Sequence, residues 1–150
     1  MNVKTLLFAS LFFLFAMFGY FLMNPSYEKS LEAKYYYETG NYQEAYRLAN
    51  EAFSMDIYNR MASTIMAQSK TSMKYKKYID EAKRYMQEID AMAAQKSISD
   101  AQRAKIKMMC EIMIDSYKKL APSVITDEDI VKEAATYYKN FEQLLEQVTR

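Results

Sequence analysis

SLEAKYYYETGNYQEAYRLANEAF, residues 30–53, is the stretch that decides the fold. Gly40 can adopt the left-handed backbone conformation that ends a helix. Asn41 follows it, and Asn41 with Glu44 has the spacing of a helix N-cap and capping box. The stretch therefore predicts a helix over residues 26–39, a tight turn, and a second, antiparallel helix. The small and apolar residues of the second helix recur at the i, i+3, i+4 spacing of a buried face, and they are Tyr42, Ala45, Tyr46, Ala49, Ala52 and Phe53.

Six positions of this hairpin have small or aromatic residues at a characteristic spacing. They are Ala33 and Tyr36 in the first helix, Gly40 at the turn, and Tyr42, Ala45 and Ala52 in the second helix. In these positions the hairpin resembles a tetratricopeptide repeat (TPR), over about one 34-residue unit. It departs from the family pattern at Lys29, Ala49 and Ile57, where a Trp-like residue, an aromatic residue and a proline are usual.

The resemblance implies a concave groove that binds extended peptides. The residues that would line it here are Tyr27, Ser30, Lys34 and Tyr37. Family members that bind a terminal carboxylate have asparagine at the position of Lys34, so the resemblance does not imply that ligand for this chain.

Residues 5–23, TLLFASLFFLFAMFGYFLM, form an uncharged run rich in Leu, Phe, Met and Ala. A helix over this run would be roughly 28 Å long, close to the hydrocarbon thickness of a bilayer. Asn24-Pro25 ends the run, because the residue before a proline disfavours helical backbone angles. We therefore predict a transmembrane anchor over residues 1–24 and a TPR-like helical domain over residues 25–150.

Two alternatives compete with an uncleaved anchor: a cleaved signal peptide and a buried helix of a soluble protein. A signal peptide has a shorter apolar segment and small residues at its cleavage site, whereas this run ends in the large residues 21–23. Basic residues flank both ends, so the positive-inside rule discriminates weakly. The short basic segment around Lys4 favours a single-pass inner-membrane protein with its amino terminus inside. The domain would then lie in the periplasm of a bacterial cell.

The rest of the chain has helical periodicity and no sustained alternation of the kind that strands show. It predicts helices over residues 57–68, 75–95, 100–120 and 127–148, with a break at residues 69–72. The predicted inner face of the helix over residues 57–68 consists of Tyr58, Met61, Ala62 and Ile65. That of the helix over residues 127–148 consists of Ile130, Ala134, Tyr137, Phe141, Leu144 and Val148. Ser99 with Gln102, and Thr126 with Asp129, have the spacing of helix starts.

The fold predicted from these patterns is all-α. After the anchor we expect about six helices in three antiparallel pairs, stacked as a short TPR-like solenoid. An irregular helical bundle is the alternative.

Several classes of protein are excluded by composition. The chain has no histidine, only two glycines and one cysteine, so imidazole chemistry, glycine-rich phosphate loops and cysteine-rich metal clusters cannot be built. We predict that it is not an enzyme and binds no cofactor or metal. The 20 basic and 19 acidic residues nearly balance, which argues against a nucleic-acid partner.

Two further features have ordinary structural interpretations. Cys110 lies on an apolar helix face, where a small core residue is expected rather than a reactive thiol. A basic stretch is typical of a solvated helix face, with docking to an acidic partner or to anionic head groups as the alternative. Its residues are Lys70, Lys74, Lys76, Lys77, Lys83 and Arg84.

The function expected from the sequence is a membrane-anchored, non-enzymatic scaffold that binds another protein in an envelope assembly. The alternative is a cytoplasm-facing chaperone or targeting factor for a membrane complex such as a secretion apparatus. Expected partners are proteins and, through residues 5–23, the membrane.

Overall fold

A computed structural model describes residues 3–95, 97–123 and 126–150 of the chain. These residues form six helices and no β-strand, which confirms the all-α prediction. The helices are α1 (Val3–Met23), α2 (Pro25–Glu38), α3 (Tyr42–Met55), α4 (Arg60–Ala93), α5 (Asp100–Lys118) and α6 (Glu128–Thr149).

α1 is the apolar helix that the sequence predicts. Its side chains are exposed along nearly its whole length, and by length and composition it can cross a bilayer. The junction to α2 is short: the Asn24 side chain accepts a hydrogen bond from the backbone N–H of Ser26 at 3.0 Å. Pro25 begins α2, and proline suits this first position because the N–H it lacks has no intrahelical partner there.

The contacts divide the chain into two compact units, Met1–Lys70 and Thr71–Arg150. The first unit contains α1, α2, α3 and residues 60–70 of α4. The second contains residues 71–93 of α4 together with α5 and α6.

In the first unit, α2 and α3 form the predicted antiparallel hairpin. The Ser26 hydroxyl at the start of α2 donates to the Ala52 carbonyl near the end of α3, at 2.8 Å. At the other end, the rings of Tyr37 and Tyr42 lie 5.4 Å apart. The core of the first unit, to which α4 contributes as well, consists of small residues and a few larger ones: Ala33, Ala45, Leu48, Ala49 and Ile65, with Tyr36, Tyr37, Met61 and Met66 packed against them. The alanines let the helix backbones approach closely.

The hairpin turn forms as the sequence predicts. Gly40 has φ +80°, in the left-handed region. Asn41 is the N-cap of α3, and its side chain accepts from the N–H of Glu44 at 3.3 Å. The Asn41 N–H donates to the Tyr36 carbonyl at 2.9 Å. This N–H therefore does not need the Glu44 side chain as an acceptor, which a capping box would supply.

The predicted break at residues 69–72 is wrong. α4 continues through it, as one helix of 34 residues. Ser69 and Ser72 have no exposed surface. Serine disfavours a helix only slightly, so burial of this side of α4 outweighs the local preference for a turn. The pair expected from residues 57–68 and 75–95 is therefore one helix, and the described part of residues 25–150 contributes five helices rather than about six.

The predicted start of this helix at Ile57 is also wrong. Ile57 and Tyr58 lie in a turn, and Tyr58 is 83% exposed instead of facing the core. The turn forms because the Asp56 carboxylate accepts from the Tyr58 N–H at 2.9 Å. α4 then begins at Arg60, after Asn59.

The second unit has its own apolar core, shared by residues 75–92 of α4, by α5 and by α6. Its buried members include Ile79, Ala82, Ile89, Ile106, Met109, Met113, Ala134 and Phe141. The face predicted for α6 packs against this core, which confirms it. Tyr117 links α4 to α6, since its ring lies 5.7 Å from that of Tyr78 and stacks on that of Tyr138 at 4.5 Å.

In this unit, α5 and α6 have defined starts. Ser99 and Gln102 form the predicted capping box, with both reciprocal hydrogen bonds present. At α6 the cap is Asp127 rather than Thr126, since the Asp127 side chain accepts from the Asp129 N–H at 2.9 Å. The Thr126 hydroxyl instead accepts from the Ser123 N–H at 2.9 Å.

Candidate functional site

An open groove of about 420 Å³ lies between α2 and the first turns of α4, within the first unit. We call it the α2–α4 groove. Its lining residues are Lys34, Tyr37, Glu38, Arg60, Met61, Thr64, Ile65 and Gln68.

Two of the four residues predicted to bind a peptide line this groove. Lys34 is exposed and Tyr37 is half-buried, on successive turns of α2. Tyr27 is half-buried nearer the start of α2, outside the lining. Ser30 has no exposed surface. Its hydroxyl is hydrogen-bonded in the interior, so Ser30 cannot touch a ligand in this conformation. The prediction that Ser30 lines the groove is therefore wrong, and its role is in packing.

The floor of the groove is apolar and packs against the core of the first unit. Ile65 is 4% exposed and belongs to the core of the first unit, against which Met61 and Tyr37 also pack. The Tyr37 ring contacts Tyr42 at 5.4 Å, so the turn at Gly40 fixes its position. The groove therefore offers preformed apolar surface between two helices, as binding sites in helical proteins commonly do.

The rim of the groove has more positive than negative charge. Lys34 pairs with Glu38 at 3.6 Å, and both side chains are more than half exposed, so water screens this pair strongly. Arg60, the first residue of α4, is exposed and makes no ion pair within the described part of the chain. Its cation lies at the positive end of a helix dipole, which is unfavourable without an anion. The rim therefore suits an acidic ligand.

A buried polar cluster beside the groove holds α4 against the hairpin. The Asn59 amide donates from Nδ2 to the hydroxyls of Ser26 at 2.8 Å and Ser30 at 2.7 Å. Its Oδ1 accepts from the Ala62 N–H at 3.0 Å, as an N-cap does. All three polar residues are at most 1% exposed. The sequence-based predictions do not include this cluster, although an asparagine directly before a helical run is the same signal that identifies Asn41 as an N-cap.

Ion pairs on the surface of the hairpin connect α2 to α3. Lys29 donates to Glu51 at 2.8 Å, and this hydrogen bond lowers the pKa of the Glu51 carboxyl. Arg47 bonds both Glu51 and Glu44, and its hydrogen bond lowers the pKa of Glu44. These charged side chains pair with one another on a solvated surface, so we assign them a structural role.

Cys110 is a core residue, as predicted, with no exposed surface. Burial raises the pKa of its thiol to about 11, so the thiol stays protonated and unreactive at neutral pH. Within the described residues, no group of three His, Cys, Asp or Glu side chains is placed to hold a metal ion.

The basic stretch on α4 is an exposed helix face. Two of its lysines have acidic partners, Lys76 with Asp80 at 3.6 Å and Lys83 with Glu133 at 2.8 Å. This arrangement fits a solvated face, and docking of an acidic partner there stays a prediction.

No protein-family model matches the sequence, and no characterised protein or solved structure matches it either. The TPR resemblance therefore rests on the six hairpin positions, and kinship with that family stays a prediction.

Proposed function

We propose that the chain is a membrane-anchored, non-enzymatic protein that binds a segment of another protein in the α2–α4 groove and scaffolds an envelope assembly. The observation that carries the proposal is this groove, in the same compact unit as the apolar helix α1. Tethering by α1 would raise the concentration of the groove near membrane partners, so that modest contacts suffice.

The chemistry of the groove indicates the class of ligand. Tyr37, Met61 and Ile65 offer an apolar strip, and Thr64 adds a hydroxyl that can bond a peptide backbone. Lys34 and Arg60 favour carboxylates at the rim. The ligand that fits is a peptide segment or helix with apolar anchors and acidic neighbours.

The TPR-like nature of the domain is part of this proposal. Asn59 lies beside Ser26 and Ser30, and residues 60–68 face residues 34–38 across the groove. α4 thus begins alongside α2 and runs in the same direction, as the first helix of a next repeat would. This arrangement supports a short solenoid whose groove lies between successive first helices.

Site-specific photocrosslinking tests the proposal. A photoreactive benzoylphenylalanine in place of Thr64, which is exposed in the groove, should give a discrete adduct with a protein in native membranes. The matched control is the neighbouring Ser63, which is exposed on α4 but does not line the groove. Charge reversal by Lys34→Glu together with Arg60→Glu should weaken the Thr64 adduct. No adduct from Thr64, or equal adducts from both positions, would contradict binding in the groove.

The side of the membrane is tested separately. We propose that the domain lies in the periplasm. In a Ser63→Cys variant, a membrane-impermeant maleimide should then label intact cells, and the buried Cys110 should not add background. Labelling only after the inner membrane is opened would place the domain in the cytoplasm and favour a chaperone or targeting factor.

A further inference from the structure

The turn between α3 and α4 exposes large apolar side chains. Met55 is 55% exposed, Ile57 63% and Tyr58 83%. Outside α1, Tyr58 is the most exposed large hydrophobic residue in the part of the chain that the structure describes. We call these three residues the apolar turn. Three such side chains together in water are unfavourable, which indicates an interaction surface.

The backbone of the apolar turn is well defined. The Asp56 N–H bonds to the Ala52 carbonyl at 3.1 Å, and the Asn59 N–H bonds to the Asp56 carbonyl at 3.1 Å. The Asp56 carboxylate accepts from the Tyr58 N–H at 2.9 Å. The buried Asn59 then fixes the end of the turn. Ile57 and Tyr58 are therefore held outward by the hydrogen bonds of their neighbours.

The residues that flank the apolar turn, Ala52 and Asn59, both bond to Ser26, which lies three residues after the end of α1. The Ser26 hydroxyl donates to the Ala52 carbonyl at 2.8 Å and accepts from the Asn59 amide at 2.8 Å. The chain from Met23, the last residue of α1, to Ser26 can span at most about 11 Å. This limit holds whatever the angle between α1 and α2. The turn is therefore close to the point where α1 would leave a bilayer.

We propose that the apolar turn inserts into the interfacial region of the same bilayer that holds α1. Tyrosine is favoured at this depth because its ring is apolar and its hydroxyl remains in the head-group layer, and Ile57 and Met55 add apolar area. The lipid surface continues that of α1, so it is the occupant that proximity favours. The turn is thus a second membrane contact that fixes the orientation of the first unit. This inference rests on the proposed anchoring by α1.

Single-tryptophan fluorescence tests the proposal in the full chain, which has no native tryptophan. Three variants are compared in vesicles of phosphatidylcholine and phosphatidylglycerol: Tyr58→Trp in the turn, Phe12→Trp in α1, and Tyr35→Trp as control. Tyr35 is 63% exposed but lies about 14 Å along α2 from Ser26. Lipids brominated near the carbonyl end of the acyl chain quench shallow tryptophans, and lipids brominated near the methyl end quench deep ones.

The expected result is a blue-shifted emission of Tyr58→Trp on reconstitution and strong quenching by the shallow bromines. Phe12→Trp should be quenched by the deep bromines, and Tyr35→Trp by neither. If Phe12→Trp is quenched while Tyr58→Trp stays unquenched, the apolar turn does not insert although the anchor stands. Equal quenching of Tyr58→Trp and Tyr35→Trp also overturns the assignment to the turn. If Phe12→Trp is not quenched, α1 is not embedded in the bilayer. That result would contradict both the membrane anchoring by α1 and the insertion of the apolar turn.

Discussion

At the scale of single residues, Asn59 is a buried side chain that joins α2 to α4 in the first unit. It bonds two hydroxyls of α2 and the first turn of α4, with no access to water. A buried polar group of this kind stabilises the fold only while every partner is in place, because a lost partner leaves the others desolvated and unpaired.

Asn59→Ala should therefore lower the free energy of unfolding of the first unit by about 2 to 4 kcal/mol, as the sum of a lost cap and unpaired hydroxyls. The measurement is urea unfolding of the detergent-solubilised chain, followed by circular dichroism. The control is Asn41→Ala, an exposed N-cap, which should cost about 1 kcal/mol. Equal effects at both positions would show that the buried cluster contributes little.

Among residues 3–95, 97–123 and 126–150, Gly40 alone has a left-handed backbone, at φ +80°. A Cβ built on it meets no atom within 4 Å, so any penalty comes from backbone strain and not from a clash. Gly40→Val should destabilise the hairpin by about 1 kcal/mol or more, and Gly40→Asn by less, since asparagine tolerates this conformation. Thermal melting of the two variants checks the order, and a valine variant as stable as the parent would contradict it.

Because of Cys110, the free energy of unfolding of the second unit depends on pH. Burial raises the pKa of the Cys110 thiol from 9.0 to about 11. Between these two pH values the folded state retains the thiol proton and the unfolded state loses it. The stabilisation from this group is present below about pH 9 and is lost as the pH rises toward 11.

Cys110 should accordingly resist Ellman's reagent at pH 8 in the folded chain and react once urea unfolds it. A Ser63→Cys variant supplies an exposed thiol as the positive control, and it should react without urea. Rapid reaction of the parent chain under native conditions would show that the thiol is accessible.

At the scale of elements, the continuity of α4 distinguishes the structure most clearly from the sequence-based expectation. Lys70 is exposed, so its substitution tests the backbone alone. Lys70→Pro should cost about 3 kcal/mol or more, because proline removes a helical hydrogen bond and clashes with the preceding turn. Lys70→Ala should be nearly neutral. Urea unfolding measures both, and a proline variant as stable as the alanine variant would mean that residues 69–72 form a loop.

Local rules predicted the elements well where the deciding contacts are local. The left-handed Gly40, the Asn41 cap and the Ser99–Gln102 box depend on residues within about one helical turn. Ser69 and Ser72 were misread because their burial depends on packing that the surrounding sequence does not reveal. Tyr58 was misread for a related reason: its spacing fits a helix face, but the Asp56 turn places it before the helix begins.

The candidate site was predictable only in part. Lys34 and Tyr37 were found through the family resemblance, and both line the groove. The opposite wall, including Arg60 and Met61, comes from a helix that reaches α2 only through tertiary packing. Ser30 has the spacing of a groove residue, but Asn59 draws its hydroxyl into the interior.

At the scale of the whole molecule, the protein consists of two compact helical units of nearly balanced charge, and the first of them includes an apolar helix that exposes its side chains. The groove, the apolar turn and the tether all belong to the first unit. Its proposed role near a membrane therefore depends on whether α1 remains attached and embedded.

The most direct test is the intact mass of the protein recovered from membranes washed with alkaline carbonate. The account predicts that the protein stays in the washed membranes and that its mass includes residues 5–23. A chain that begins after Met23, or a full-length chain released into the wash, would contradict membrane anchoring by α1.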